Sequence, residues 1–210
     1  MVFDKEFKVA LSIMARHLLY IVVCIGMMLL QHAAARCYHE NTYAENGLVE
    51  NMQFLLLLSS GIVFLVHALV HRKERTILFI LSGLCALGAC REMDRVLDSL
   101  IPVVSWKIGL LFVVVPCVWN FKHWEEFQNS LCRFLNTKCF VMLCAAFSII
   151  LVLGQLIGHK AYLRAVMVDV EHLGTIKEMV EESIETIGYL IILLASAESF
   201  FEFPWKGKGN

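Results

Sequence analysis

The chain has little charge, little proline and none of the short motifs that mark soluble catalysts. Asp, Glu, Lys and Arg make up 18% of its 210 residues, against roughly 25% in an average soluble domain, which excludes an ordinary soluble fold. Basic residues (18) and acidic residues (19) nearly cancel. Without a cluster of unopposed Lys and Arg, no duplex-binding surface is present, so nucleic acid is not an expected partner. The eight cysteines show no CxxC or Cys/His spacing. Cys24, Cys85, Cys117, Cys139 and Cys144 fall within or at the ends of apolar runs, where cysteine acts as a small hydrophobe. Cys37 and Cys90 fall near the predicted outer face, where a disulfide persists if that compartment is oxidising. No Gly-x-Ser-x-Gly or phosphate-cradling loop occurs. His67 and His71 have no Glu between them, and Arg72, Lys73 and Arg75 follow at once. That pattern reads as an interfacial anchor rather than a zinc site. The three prolines, Pro102, Pro116 and Pro204, all stand near predicted span ends, where helices tolerate them.

What the chain does have is apolar length. It is 59% hydrophobic, with a mean hydropathy of +0.68, and runs such as Phe54 to Leu69 and Val141 to Ile157 approach the length of a bilayer crossing. They lack the period-2 alternation of a barrel strand, so helices are the economical way to satisfy the backbone in hydrocarbon. The expected fold is an all-α transmembrane bundle forming one integral domain over residues 1–210. Its spans are expected near 18–35, 52–70, 76–92, 103–119, 139–157 and 184–203, and the lipid bilayer is its first partner. The first run ends in Arg36-Cys37-Tyr38-His39 rather than a small-residue cleavage site, so it reads as a retained span. The third is short, and a helix carrying Arg91, Glu92, Met93 and Asp94 is expected to extend it outward.

Positive residues stay in the cytoplasm, which sets the orientation. With the N-terminus inside, the cytoplasmic segments hold Lys5, Lys8, Arg16, Arg72, Lys73, Arg75, Lys122, Arg133, Lys138, Lys206 and Lys208. The other side holds Arg36, Arg91, Arg95, Lys107, Lys160, Arg164 and Lys177. Both termini are therefore expected to be cytoplasmic. Phe121, Trp124, Phe127, Leu131 and Phe134 recur every three or four residues with charge on the other faces, which predicts a helix in the cytoplasmic interface. Leu163, Val166, Val170, Leu173, Ile176 and Val180 keep the same period, predicting an outer surface helix that leads through Glu185 into the membrane.

Under this topology the acids gather outside. Glu40, Glu45, Glu50, Glu92, Asp94, Asp98, Asp169, Glu171, Glu178, Glu181, Glu182 and Glu185 all fall there. Three motifs meet the same face: Glu45-x-Gly47-x-x-Glu50-x-x-Gln53, Arg91-Glu92-x-Asp94-x-x-x-Asp98, and Glu181-Glu182-x-x-Glu185. Carboxylates near lipid must pair, protonate or bind a cation, which leaves three readings open. In the first, Arg91, Arg95 and Lys107 neutralise the acids in an ion-pair network that locks helices together. In the second, Glu50, Gln53, Asp94, Asp98, Glu181, Glu182, Glu185 and His172 supply a site for a cation, a divalent metal among the candidates. In the third, Glu92, Asp94 or Glu182 acts as general acid or base on a lipid-linked substrate. His32 and Gln31, near the outer end of the first span, are candidates to line such a site or simply to pack. Glu198, within the sixth span, either serves an ion pathway or snorkels to the interface.

The three motifs in this order, followed by Trp106-Lys107, resemble a group of uncharacterised bacterial multi-pass inner-membrane proteins over residues 45 to about 190. The resemblance implies a bacterial inner-membrane location and brings no activity. The functional expectation is a membrane protein whose outer acidic cluster binds a cation or polar headgroup, as a transporter or sensor does. A membrane-embedded hydrolase or transferase acting on a lipid headgroup is the alternative, and a structural assembly protein with ion-paired helices is the third. A homo-oligomer or another membrane partner is compatible with each.

Overall fold

In the computed structural model the described residues are 2–38, 42–43, 47–101, 105–157, 159 and 173–202, with the side chains of 2–5, 105 and 155 outside the description. Every regular element among them is helical, as continuous apolar runs require in a solvent that offers the backbone no hydrogen bonds. In chain order these are α1 (Val2–Tyr38), α2 (Leu48–Val70), α3 (Arg75–Glu92) and α4 (Asp94–Leu100), then a 3-10 turn (Ser105–Ile108), α5 (Gly109–Lys122) and α6 (Trp124–Leu135). There follow α7 (Lys138–Ser148), a π segment (Ile149–Gly154), α8 (Gln155–Ile157) and α9 (Leu173–Glu202).

Three helices, Glu6–Tyr38, Leu48–Val70 and Leu173–Glu202, are long and apolar enough to cross a membrane. The number rises to five if each of two bent pairs is one span: α3 with α4, bent by 76°, and α6 with the α7 and π stretch, bent by 80°. The structure thus supports a transmembrane chain with three to five candidate spans, where the sequence predicts six. The expected outward extension of the third span is present only through Arg91 and Glu92. The helix stops at Glu92, Met93 caps it, and α4 sets off at 76° with Asp94 in its first turn, where the helix dipole favours an acid. The predicted outer surface helix before the sixth span falls mostly outside the described residues. From Leu173 onward it is continuous with that span.

The core lies where α2, α3, α7 and α9 meet, around Leu57, Phe64, Leu78, Cys139, Leu143, Ile150, Leu190 and Ala195. The start of α7 is capped by two side chains. Thr137 caps it through Phe140 N–H at 3.1 Å, and the Glu202 carboxylate accepts from Lys138 N–H at 2.5 Å and Cys139 N–H at 3.1 Å. By contrast, no residue of the apolar window of α1 is buried against the rest of the chain. All eight cysteines are free, Cys37 and Cys90 included.

Pro116 is inside α5 and not at its end. Proline has no N–H, so the Phe112 carbonyl four residues earlier loses its helical donor. That carbonyl turns up against α3 at Gly83: a Cβ added there would lie 2.0 Å from Phe112 O and 2.8 Å from Phe112 C. Gly83 lets two backbones touch, as small residues do between membrane helices, and brings its own Cα–H to a carbonyl that has lost its usual donor.

The hydrogen bonds sort the bundle into two ends. Gln53, Glu92 and Glu182 meet at one. At the other, Arg16 and Tyr20 meet Glu198, His67 meets Ser199, Asn120 meets Thr76, and Arg133 meets Glu74.

Candidate functional site

The first end holds the acidic motifs. Glu50 and Gln53 are one turn apart near the start of α2, Arg91 and Glu92 are the last residues of α3, and Glu182, Glu185, Thr186 and Tyr189 follow one face of α9 at helical spacing. Gln53 is fully buried. Its Nε2 donates to the Glu182 carboxylate Oε2 at 2.7 Å, to the Glu182 carbonyl at 3.0 Å and to Thr186 Oγ1 at 3.1 Å, while Thr186 Oγ1 donates to the same carbonyl at 2.7 Å. With three acceptors around the nitrogen, the amide orientation is fixed by its surroundings. Its other atom, Oε1, is buried and accepts no hydrogen bond. A buried acceptor left open in this way is uncommon and calls for an explanation.

Beside it, Tyr189 donates its hydroxyl proton to Glu92 Oε1 at 2.8 Å. Glu92 and Glu185 are both more than nine-tenths buried. Glu50 acts electrostatically on both Glu92 and Glu182, and Arg91, at the exposed rim, acts on Glu92, Glu182 and Glu185. Three glutamates from α3 and α9 therefore share the field of Arg91, and Glu50 on α2 acts on two of them.

Other expected members do not join this cluster. Asp94, Arg95 and Asp98 travel with α4, none of whose residues is buried, after the 76° bend. Glu181 pairs with Lys177 one turn away. Lys107 is exposed on the 3-10 turn, and His32 is exposed on α1. Glu40, Glu45, Asp169, Glu171 and His172 lie outside the described residues. Among the described residues, no three His, Cys, Asp or Glu side chains are arranged to hold a metal ion. Two members escaped the sequence reading: Thr186, one turn beyond Glu182, and Tyr189, one turn beyond Glu185. Their signal is polarity at i+4 within an otherwise apolar stretch.

At the opposite end, Glu198 is fully buried. It accepts from Arg16 Nη2 at 2.6 Å and Tyr20 Oη at 2.7 Å, and the Arg16 guanidinium also covers the Phe201 ring at 4.2 Å. His67 Nδ1 lies 2.8 Å from Ser199 Oγ, and its ring stacks on Phe200 with centroids 4.4 Å apart. His67 is thus a contact between α2 and α9. No family model, curated protein or solved structure matches the chain.

Proposed function

We propose that this chain is a multi-pass membrane protein whose acidic motifs form one cation-recognising cluster at the non-cytoplasmic end, as a transporter or ion-linked sensor requires. The observation that carries the reading is the open Gln53 Oε1, held beside the Glu182 carboxylate within reach of the fields of Glu50 and Glu92. Acceptor oxygens without nitrogen or sulfur ligands suit a hard cation or an ammonium group. Because three carboxylates do not close into a metal cage among the described residues, the favoured occupant brings its own hydrogen-bond donors. A hydrated ion or the primary ammonium of a polar headgroup fits that description.

Six crossings remain the topology we favour. The 3-10 turn and α5 together reach about 29 Å, and Lys138 to Ile157 reaches about 28 Å with the shorter rise of its π segment, each close to the hydrocarbon thickness. Six crossings return both termini to one side, and the distribution of Lys and Arg makes that side the cytoplasm. The 80° bend between α6 and α7 fits an α6 that lies along the cytoplasmic interface. The resemblance of the three motifs is what points this reading to a bacterial inner membrane.

A second reading is favoured by the bonds from Gln53 to Glu182 and from Tyr189 to Glu92: the cluster only fastens α2 and α3 to α9. Thermal unfolding in dodecyl maltoside with Ca²⁺, Mg²⁺, Mn²⁺, Na⁺ or ethanolamine separates the two. A ligand at a hundred times its Kd stabilises by about 2.7 kcal/mol, or roughly 5–10 °C for a chain of this size. At least one of the five is expected to give such a rise in the wild type and not in Glu182→Gln. If none does, while both proteins unfold cooperatively, the fastening reading stands.

A further inference from the structure

A polar cavity at the opposite end of the bundle is independent of the acidic cluster. Between the start of α3, the end of α5 and the exposed side of α6 lies a cavity of about 560 Å³. Arg72, Lys73, Arg75 and Arg133 line it, against one acid, Glu126. Arg133 is already engaged, bonded to Glu74 at 3.0 Å and to the Lys73 carbonyl at 2.5 Å. Arg72, Lys73 and Arg75 supply the remaining positive charge.

Two buried groups in the wall are unsatisfied. Thr76 is 3% exposed, yet its hydroxyl has no hydrogen-bond partner, and neither has the buried Nε of Arg75. The Thr76 carbonyl, by contrast, is used, accepting from Asn120 Nδ2 at 3.2 Å. Both residues open α3, an 18-residue helix whose first N–H groups receive no side-chain cap. A helix start with free N–H groups and its positive dipole end, an unpaired hydroxyl, and guanidinium and ammonium groups together make the donor set that phosphate oxygens accept from. Trp119, half exposed in the same wall and stacked on His123 at 4.9 Å, is the kind of ring that sits at headgroup depth.

We infer that this cavity binds a phosphate group through Arg72, Arg75, the hydroxyl of Thr76 and the N-terminus of α3. The phosphate belongs either to an anionic lipid headgroup or to a soluble ion, and one experiment distinguishes them. Wild type, Thr76→Val, Arg72→Gln and Lys122→Gln are purified in dodecyl maltoside, which carries no phosphate, and their unfolding is followed while phosphatidylglycerol or inorganic phosphate is added. Lys122 is exposed and outside the cavity wall, so Lys122→Gln controls for general charge.

The expected result is that wild type and Lys122→Gln are stabilised in a saturable way, while Thr76→Val and Arg72→Gln bind about tenfold more weakly or worse, the loss of one charge-assisted hydrogen bond. A response to phosphatidylglycerol alone identifies the lipid, and a response to inorganic phosphate identifies the soluble ion. Without either probe, Thr76→Val is expected to be at least as stable as wild type, because it removes an unsatisfied buried hydroxyl. The inference is overturned if neither probe shifts the wild type, or if both cavity variants respond as the wild type does.

Discussion

Replacing Gly83 with alanine is expected to lower the thermal midpoint of the detergent-solubilised protein by roughly 6–12 °C, the equivalent of about 3 kcal/mol of overpacking in a chain of this size. The added Cβ would meet the Phe112 carbonyl oxygen at 2.0 Å, and that oxygen is backbone, so no rotamer change relieves the contact. Either α3 and α5 move apart or the carbonyl turns back toward a helix in which Pro116 offers it no donor. Gly26→Ala is the matched control. Nothing lies within 4 Å of a Cβ there, so the helix propensity of alanine should leave the midpoint unchanged or raise it slightly. Equal losses for the two variants would mean that the approach of α3 to α5 is not what Gly83 provides.

The second large effect is expected at Arg16. Its guanidinium is the cationic partner, at 2.6 Å, of a Glu198 carboxylate with no exposed surface. Arg16→Met should destabilise by about 3–5 kcal/mol, the usual result of leaving one member of a buried pair behind. Tyr20 still donates to Glu198 but brings no charge. The double variant Arg16→Met with Glu198→Gln should recover most of the loss, since no buried charge then lacks a counterpart. Unfolding midpoints for the two single variants and the double form a complete cycle. Additive losses would show that Arg16 and Glu198 do not act as a pair. The pair also has a topological role. It ties α1, whose apolar window has no buried residue, to the far end of α9.

The helical class and the longest spans could be read directly, because a run such as Phe54 to Leu69 has no other use in water or lipid. The α2 span expected at 52–70 lies within a helix of Leu48–Val70. Finer features were hidden for physical reasons. In lipid all faces of a helix are apolar, so periodicity does not reveal which face packs inward. Gly83 and Gly188 therefore gave no advance sign of the close contacts they make with Phe112 and Ile150. The break at Met93 has no glycine or proline to announce it, and Asp94 and Asp98, at good helical spacing to join the acidic cluster, leave it with α4. Pro116, expected near a span end, stands inside α5.

The candidate site was half legible. Glu50, Gln53, Glu92, Glu182 and Glu185 were singled out from three motifs far apart in the chain, and the fold brings them to one end. Which atoms bond was not readable, because it depends on the rotation of α9, and that is set by contacts such as Gly188 on Ile150. At the other end, basic residues that looked like a topological signal alone also border a cavity with an unsatisfied threonine. One end of the bundle thus holds an open amide oxygen beside carboxylates, and the other a basic cavity with an unpaired hydroxyl.

Calorimetric titration of the purified protein with whichever of Ca²⁺, Mg²⁺, Mn²⁺, Na⁺ or ethanolamine stabilises it most tests the acidic cluster directly. Saturable binding at one site per chain is expected, weakened by about tenfold or more in Glu182→Gln, which keeps the shape of the side chain and removes its charge. Binding of undiminished strength in that variant, or no saturable heat from any of the five in a protein that is still folded, would contradict it.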